Sequence, residues 1–298
     1  MVNKQTKGEK AFDIFNILLL GMLGVICLYP LLYVVFASFS SSSALMETTG
    51  LILHPMEPTT AAYKAVFQNK FILGGFKNTL FVLVVGTSIN MVLTLIGAYV
   101  LSRKRVMLNS FFTIMFMIPM YFGGGLIPTY LVVKSLGLDN SLWALILPGA
   151  VSTYNMIIMR TGYASVPETL HEAAILDGAG EFEIFARIYT PLIKATAAVI
   201  FLYYAVAHWN SWFSAAIYLN DRGKYPLQLV LREILISNDT ASTAAAGGGG
   251  GGASADVEGV SKSIQYATIV ISTVPNLVIY PFIQKYFVKG VMIGSVKG

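Results

Sequence analysis

Most of the side chains that could do chemistry lie in one segment, residues 160–194, between two strongly apolar stretches. They are mainly acidic: Glu168, His171, Glu172, Asp177, Glu181, Glu183 and Arg187. No G-x-S-x-G or H-E-x-x-H string accompanies them, so these motifs of serine hydrolases and zinc peptidases are missing. The three histidines, His54, His171 and His208, are too dispersed in the sequence to predict a metal site. We therefore expect no catalytic residue and no metal site.

The first half of this segment has the pattern of a short helix. Ser165 followed three residues later by Glu168 predicts a capping box, and Pro167 suits the first turn. Gly178 predicts the end of the helix, because glycine readily adopts the left-handed conformation of a helix stop. The residues expected to share one face are Leu170, Ala173, Ala174 and Asp177.

The second half predicts another short helix, from about residue 181 to 189, with Phe182, Phe185 and Ile188 on one side. Pro191 is expected to end it before the next apolar stretch. Two short helices at an angle result, with a face of small residues between them. A loop that merely folds back on the membrane as a helix pair explains this pattern equally well.

A second set of functional side chains is aromatic, amide and imidazole, in the apolar stretch 195–220. Those near its middle are Tyr203, Tyr204, His208, Trp209, Asn210 and Trp212. Aromatic rings stack on the C–H faces of sugars and amides bond sugar hydroxyls, so these residues could line a carbohydrate path. Packing between helices is the alternative, slightly favoured for any single residue. Weaker candidates of the same kind are Tyr154, Asn155, Asn276 and Tyr280, whereas Asn78 and Asn90 are expected to be structural.

The composition is that of an integral membrane protein. Of 298 residues, 55% are hydrophobic and 12% charged, about half the ~25% of soluble domains, and the mean hydropathy is +0.67. This excludes a soluble two-domain protein, and the many aromatic residues exclude a disordered chain. The single cysteine, Cys27, excludes a disulfide framework. The net charge of +5 is spread over short segments, which argues against a nucleic-acid-binding face.

A helix that crosses a bilayer needs about 20 mostly apolar residues. Six uncharged stretches qualify: 14–46, 78–102, 106–133, 140–159, 195–220 and 263–284. The sequence therefore predicts an all-α membrane protein with six transmembrane helices. The first stretch is too long for the apolar part of a signal peptide, so we expect it to be retained. A further uncharged stretch, 240–255, has no large apolar residue and includes Gly247 to Gly252, which predicts a flexible linker.

Lysine and arginine are nearly twice as dense in the segments that a cytoplasmic N-terminus would place inside, which predicts cytoplasmic termini. The chain then divides into a cytoplasmic N-terminus, 1–13, and a transmembrane domain, 14–298. That domain includes the cytoplasmic loop 160–194 and the extracytoplasmic loop 221–262. Within the outer loop, 225–229 is the expected contact with a partner.

The cytoplasmic segment resembles the EAA loop of ABC-importer permeases. That pattern is E-A-A, three residues, G, nine residues and I-x-L-P. It is matched at 172–174, 178, 188 and 191, whereas Thr190 stands where the family usually has leucine. The stretch 208–212 and the tail 286–298 are similar to maltose-type carbohydrate permeases. Overall, the chain looks closest to the branch that imports complex oligosaccharides, including those derived from pectin and alginate.

This resemblance implies the type I ABC-importer permease fold, in the cytoplasmic membrane of a bacterium. It implies a permease subunit that translocates a carbohydrate. It also implies three kinds of protein partner: a second homologous permease in a heterodimer, a dimer of ATPase subunits and an extracytoplasmic solute-binding protein. The implied ATPase-coupling residues are Glu172, Ala173, Ala174, Asp177, Gly178, Ile188 and Pro191. The partner ATPase would use ATP and Mg²⁺, because this chain has no G-x-x-x-x-G-K-[ST] loop and is expected to bind no cofactor.

Three other classes of function compete with an importer. No Asp, Glu, Lys or Arg lies inside a predicted span, which disfavours an ion-coupled transporter. A passive pore, or a membrane scaffold whose inner loop binds an unrelated partner, is the alternative. A membrane-embedded enzyme is disfavoured by the missing acid and base groups.

Overall fold

The computed structural model of the protein describes residues 6–48, 50–103, 106–236, 262–275 and 277. These residues form helices joined by turns, with no strand among them, which confirms the all-α prediction for the described part of the chain. They belong to two compact units: Met1–Asn69 with Glu233–Thr273, and Lys70–Arg232 with Val274–Gly298. Both sets of functional side chains lie in the second unit.

The first unit begins with the helix Lys7–Ser38. Thr6 caps it, because its hydroxyl accepts from the Glu9 amide at 3.3 Å and the Glu9 carboxylate accepts from the Thr6 amide at 2.6 Å. The helix ends before the predicted limit of 46, and two short helices, Ser42–Glu47 and Ala61–Gln68, follow. Ser41 starts the first of these, since its hydroxyl accepts from the Ala44 amide. Another helix is described over 262–275.

The second unit is built on the helix Lys70–Ser102, which carries a wide π-helical turn at Val82–Gly86. The helices that follow in this unit are Asn109–Tyr121, Leu126–Ser135, Thr153–Ala164, Glu168–Leu176, Glu181–Leu192, Lys194–Trp209, Trp212–Tyr218 and the part of 227–236 up to Arg232.

By length and composition, two described helices could cross a bilayer: Lys7–Ser38 and Lys70–Ser102. Two bent pairs could each add one span. Asn109–Tyr121 and Leu126–Ser135 bend by 117°, and Glu181–Leu192 and Lys194–Trp209 bend by 84°. The described residues thus account for two to four spans, and six stays a prediction.

The fourth predicted span, 140–159, is not one helix. It consists of a 3-10 turn at Leu142–Leu145, irregular backbone over 146–152 and the start of the helix Thr153–Ala164. Pro148 and Gly149 lie in the irregular stretch and disfavour a continuous helix. The Asn90 amide donates to the carbonyls of Gly149 and Ala150, at 2.8 and 2.9 Å, and so replaces part of the missing helical bonding.

The expected partner contact at 225–229 is wrong, because this segment packs inside the second unit. Leu227 and Leu229 are buried, and the Leu227 amide donates to the Thr79 hydroxyl at 2.9 Å. Gly75 permits this approach, since a Cβ there would lie 3.1 Å from the Leu227 Cα. Residues 237–261 of the predicted outer loop, which include the Gly247 to Gly252 run, lie outside the described residues, as do Asn276, Tyr280 and the tail from 278.

Candidate functional site

The segment 160–194 forms two helices, Glu168–Leu176 and Glu181–Leu192, hereafter the helix pair. Gly178 makes the turn after the first helix, as predicted, with φ of +82°. The amides of Gly178 and Ala179 donate back to the carbonyls of Ile175 and Ala174, both at 2.9 Å, which is a Schellman motif. No other atom would meet a Cβ at Gly178 within 4 Å, so the backbone conformation alone requires glycine there.

The predicted capping box at the start of the helix pair is wrong. Pro167 occupies the N-cap position and makes no side-chain cap bond. The Ser165 hydroxyl donates instead to the Gly162 carbonyl at 2.7 Å, because Ser165 ends the preceding helix. Pro167 disfavours helical geometry at Val166, so it separates the two helices.

The first helix of the pair buries a different face from the one expected. Ala174 is buried, but its buried neighbour one turn earlier is His171, only 3% exposed, and not Leu170. Ala173 and Asp177 are exposed. The difference arises because His171 is held by a carboxylate on the second helix, a contact that sequence spacing does not encode.

The second helix of the pair is longer than predicted and ends one residue after Pro191. It contains a π-helical turn at Ile184–Tyr189 and continues to Leu192, where the 84° bend begins. Ile184 and Tyr189 are its buried residues, whereas Phe182 is 77% exposed. Pro191 has no amide hydrogen, so the helix lacks one backbone bond just before the bend.

A cluster of aromatic rings anchors the helix pair to the helices behind it. Tyr99 lies at its centre, with ring centroids 5.5 Å from Tyr163, 5.2 Å from Phe185 and 5.4 Å from Tyr189. The Tyr163 hydroxyl also lies 3.0 Å from the hydroxyl of Thr190, the residue that departs from the usual leucine. Partial burial raises the pKa of Tyr163, and the Thr190 bond only partly offsets this, so the phenol stays protonated near neutrality.

The opposite face of the helix pair keeps large apolar side chains exposed. Leu176 is 87% exposed, and Leu170, Ile175, Phe182, Glu172 and Ala173 are also exposed. These residues lie outside every predicted span. Large exposed apolar side chains of this kind are typical of a binding surface, either for a partner protein or for the membrane surface.

Glu181 is the main polar contact between the helix pair and the helix Lys70–Ser102. Its Oε2 accepts from the Tyr99 hydroxyl at 2.8 Å, and its Oε1 lies 2.9 Å from His171 Nε2. Partial burial acts to raise the pKa of the Glu181 carboxyl, but the bonds with Tyr99 and His171 and the charge of Arg103 outweigh it and lower this pKa.

Half of the candidate path residues in the stretch 195–220 are buried by contacts inside the chain. The Tyr204 hydroxyl lies 2.8 Å from the Thr94 hydroxyl and accepts from the Ser152 amide at 3.1 Å. His208 Nε2 lies 2.7 Å from Asn90 Oδ1, and Trp209 packs edge-on against Phe76. These contacts favour the packing interpretation for Tyr204, His208 and Trp209. Asn155, also buried, lies at the capped start of the helix Thr153–Ala164.

The remaining candidates point away from the packed interior. Tyr154, Tyr203 and Asn210 are exposed on this chain. Trp212 is half-buried beneath the Arg232 guanidinium, whose carbon lies 3.6 Å from the ring centroid. Among the candidates, Tyr154, Tyr203 and Asn210 are therefore open to contact with a cargo, a partner or lipid.

Sequence reasoning missed the role of Tyr99, which lies inside an apolar stretch and looks like any other lipid or core residue. It included Glu181 among the acidic residues but assigned it no contact. One signal could have found both residues. A polar group that packs among apolar side chains needs a hydrogen-bond partner, and both the Tyr99 hydroxyl and the Glu181 carboxylate are such groups.

Comparison with known proteins identifies the group to which the chain belongs. Residues 90–293 match the model of the family described as binding-protein-dependent transport system inner membrane component. The chain belongs to this family. The match includes the helix pair and both sets of candidate residues, so the resemblance noted from the EAA pattern is confirmed.

Individual members of the permease family align with almost the whole chain. Protein LplC of Bacillus subtilis (strain 168) is 41% identical over 293 residues, covering 98% of this chain and 97% of that protein. The polygalacturonan/rhamnogalacturonan transport system permease protein YtcP of the same organism is 38% identical over 290 residues, covering 97% and 99%.

The fold is also that of a solved permease. A chain from the crystal structure of a bacterial ABC transporter involved in the import of the acidic polysaccharide alginate matches with a TM-score of 0.85 and 29% identity. The match covers 96% of this chain and 100% of the other. The chain therefore has the permease fold of an ABC importer.

Proposed function

We propose that this chain is the permease subunit of an ATP-driven importer that carries an acidic oligosaccharide across the cytoplasmic membrane of a bacterium. Membership in the binding-protein-dependent transport family supports the importer. The acidic cargo is supported by two similar proteins, one named for polygalacturonan and rhamnogalacturonan and the other for alginate. All three polymers contain uronic acids, sugars that carry a carboxylate.

The proposed architecture is a type I ABC-importer permease with six spans and both termini in the cytoplasm. Residues 1–13 form the cytoplasmic N-terminus and 14–298 the transmembrane domain. A second, homologous permease completes a heterodimer, two ATPase subunits bind ATP and Mg²⁺, and a solute-binding protein delivers the cargo outside.

The proposed coupling site is the exposed apolar face of the helix pair, which docks in a groove of the ATPase. The observation that supports it is that Leu176 and Phe182 stay exposed while Tyr99 and its neighbours anchor the opposite face. Closure of the ATPase dimer would push this face and move the helices behind it as rigid bodies. Glu172 would hold an electrostatic contact, Ala173 allows close approach, and Gly178 supplies the turn.

Loss of the docking face tests the coupling site. Leu176→Asp and Phe182→Asp should lower the amount of ATPase subunit that co-purifies with the tagged chain in mild detergent by about tenfold or more. The second permease should be retained, because its interface lies elsewhere. Leu176→Met, which preserves size and polarity, is the matched control.

The same purification decides between the importer and the alternative function. A wild-type chain that is recovered without any ATPase under several mild conditions would favour the passive pore or scaffold. Normal recovery of ATPase with both aspartate variants would reject the docking face while leaving the importer intact.

Uptake into proteoliposomes tests the cargo. With the solute-binding protein outside and ATP inside, we expect accumulation of trigalacturonate and no accumulation of neutral maltotriose. Equal uptake of both would reject the preference for acidic sugars, and uptake of maltotriose alone would assign a neutral cargo.

A further inference from the structure

Glu181 connects three helices through one carboxylate. Tyr99 belongs to the helix Lys70–Ser102, His171 to the first helix of the pair, and Glu181 begins the second. Each oxygen of Glu181 faces a different helix, at 2.8 and 2.9 Å. The carboxylate therefore fixes the position of both helices of the pair against the same end of Lys70–Ser102.

Arg103, directly after that helix end, makes a second connection to the helix pair. Its Nη1 donates to the Tyr189 hydroxyl at 2.8 Å. Its guanidinium also lies over the rings of Tyr189 and Tyr99, at 5.3 and 5.8 Å from their centroids. The second helix of the pair is thus bound to Lys70–Ser102 through two polar contacts about two turns apart.

The course of the chain makes these contacts important. The helix pair continues covalently into Thr153–Ala164 on one side and Lys194–Trp209 on the other. It has no such continuity with Lys70–Ser102, which the bent pair 109–135 separates from it in sequence. A movement of the helix pair therefore reaches Lys70–Ser102 through non-covalent contacts: directly through Tyr99 and Arg103, and indirectly through Thr153–Ala164, whose Arg160 donates to the Leu101 carbonyl at 2.9 Å. Stacked rings can slide, whereas hydrogen bonds at both carboxylate oxygens define direction and distance.

The surroundings of Glu181 leave it room to act as a joint. An open cleft of about 340 Å³ lies beside it, lined by Tyr99, Val100, Arg103, Val106, His171 and Glu181. The Glu181 side chain is 65% exposed, so water reaches the carboxylate, while the His171 side chain is 3% exposed. The His171 side chain is thus held in the core, whereas the Glu181 side chain has room to change its conformation.

We propose that Glu181 is a positioning residue for energy coupling, which with Tyr99 and His171 transmits movement of the helix pair to the helix Lys70–Ser102. This inference rests on the proposed function, because it assumes that the ATPase moves the helix pair. It adds a polar route to a span that has no covalent link to the coupling segment.

The test measures trigalacturonate uptake and ATP hydrolysis in proteoliposomes that hold the complete complex. Tyr99→Phe removes only the hydroxyl and preserves the aromatic cluster, and Glu181→Ala removes both contacts. Each should lower the ratio of sugar imported to ATP hydrolysed by about five- to tenfold. Hydrolysis and ATPase content should be unchanged. The double variant should be no worse than Glu181→Ala alone, since that variant already removes the Tyr99 contact.

Two further variants distinguish a role of Glu181 in transmitting movement from a general structural role. Glu183→Ala, two residues along the same helix and paired with Arg187, is the matched control and should keep the wild-type ratio. Glu181→Gln retains one acceptor and should give an intermediate ratio. If uptake, hydrolysis and ATPase content fall together in Tyr99→Phe, the contact only holds the fold and the inference is rejected.

The wild-type complex, measured first, separates failure of this inference from failure of the proposed function. Wild-type uptake with unchanged ratios in both Tyr99→Phe and Glu181→Ala rejects the inference alone. A wild-type complex that drives no uptake with ATP rejects the proposed function, and this inference with it.

Discussion

The two buried histidines differ in their partners, and the difference follows from the solvent around each. His171, in the helix pair, meets the carboxylate of Glu181 at 2.9 Å. His208, in a predicted span, meets the neutral amide of Asn90 at 2.7 Å. A carboxylate is tolerated where water reaches it but is costly within a bilayer. An amide can bond an imidazole without adding a charge, so the same residue type is held by different chemistry in the two regions.

The two regions also expose apolar side chains for different reasons. On the helix pair, Leu176 and Phe182 are exposed outside any predicted span, which is typical of a binding surface. On Lys194–Trp209, Phe201 and Val206 are exposed in a predicted span, where lipid accounts for them. An exposed apolar residue therefore indicates a protein-binding site only where it faces water and not lipid.

The largest loss of stability is expected from removal of Asn90, the partner of His208 in the predicted spans. Asn90→Ala leaves His208 without its partner and frees the carbonyls of Gly149 and Ala150. We expect a loss of about 3 kcal/mol in the free energy of unfolding, measured from thermal unfolding of the detergent-solubilised complex. Asn210→Ala is the control, because Asn210 is exposed and bonds only a local carbonyl. Equal stability of the two variants would show that the buried network is not important.

A methyl group beside His208 should have a smaller effect on the same network. A Cβ at Gly86 would lie 2.6 Å from His208 Nε2, so Gly86→Ala has to displace the ring. We expect destabilisation of about 2 kcal/mol. Gly74→Ala, in the same helix with nothing within 4 Å, should instead stabilise by up to about 1 kcal/mol. Shifts of the same sign in the melting temperatures would contradict the close contact.

In the helix pair, a strained turn at Gly178 should lower the free energy of unfolding by about 1–2 kcal/mol. Gly178→Val forces a β-branched residue into a left-handed conformation, whereas Gly180→Val does not, since Gly180 has φ of −77° and open space around it. We expect normal membrane insertion of both variants and a lower ratio of uptake to ATP hydrolysis for Gly178→Val alone. Unchanged coupling in that variant would count against a role for the turn.

The smallest expected effect is a pH dependence of stability from Glu181. Its carboxyl pKa is lowered in the folded protein, so its contribution is present above the ordinary glutamate pKa of about 4.3 and is lost as pH falls through the lower folded value. The difference in melting temperature between wild type and Glu181→Gln should shrink as pH falls from 7 toward 3.5. A difference that stays constant over this range would show that the carboxylate charge does not contribute.

Local features of the helix pair could be predicted because neighbouring residues determine them. Gly178 ends the first helix through its own conformational freedom, and the prediction is confirmed. Pro191 is followed one residue later by the end of the second helix, before the next apolar helix begins. Ser165 failed as a cap because the preceding helix already uses it. That error concerns competition between adjacent elements, which a short pattern does not describe.

The irregular backbone at 146–152 shows a second limit. Absence of charge correctly marked 140–159 as apolar, but a count of uncharged residues cannot distinguish a helix from a broken segment. Pro148 and Gly149 were visible in the sequence. What makes the break tolerable is Asn90, nearly 60 residues away, whose amide bonds the freed carbonyls.

The sequence by itself determined that this is an all-α membrane protein of the permease family, and where its helix pair turns. These features depend on composition, on short spacing and on the conformational freedom of glycine. Only the tertiary structure decided that Tyr204, His208 and Trp209 pack inward, that Leu176 and Phe182 stay exposed, and that Glu181 joins Tyr99 to His171. The reason is physical: burial and hydrogen-bond partners depend on which helices meet in space, and those helices are distant in sequence.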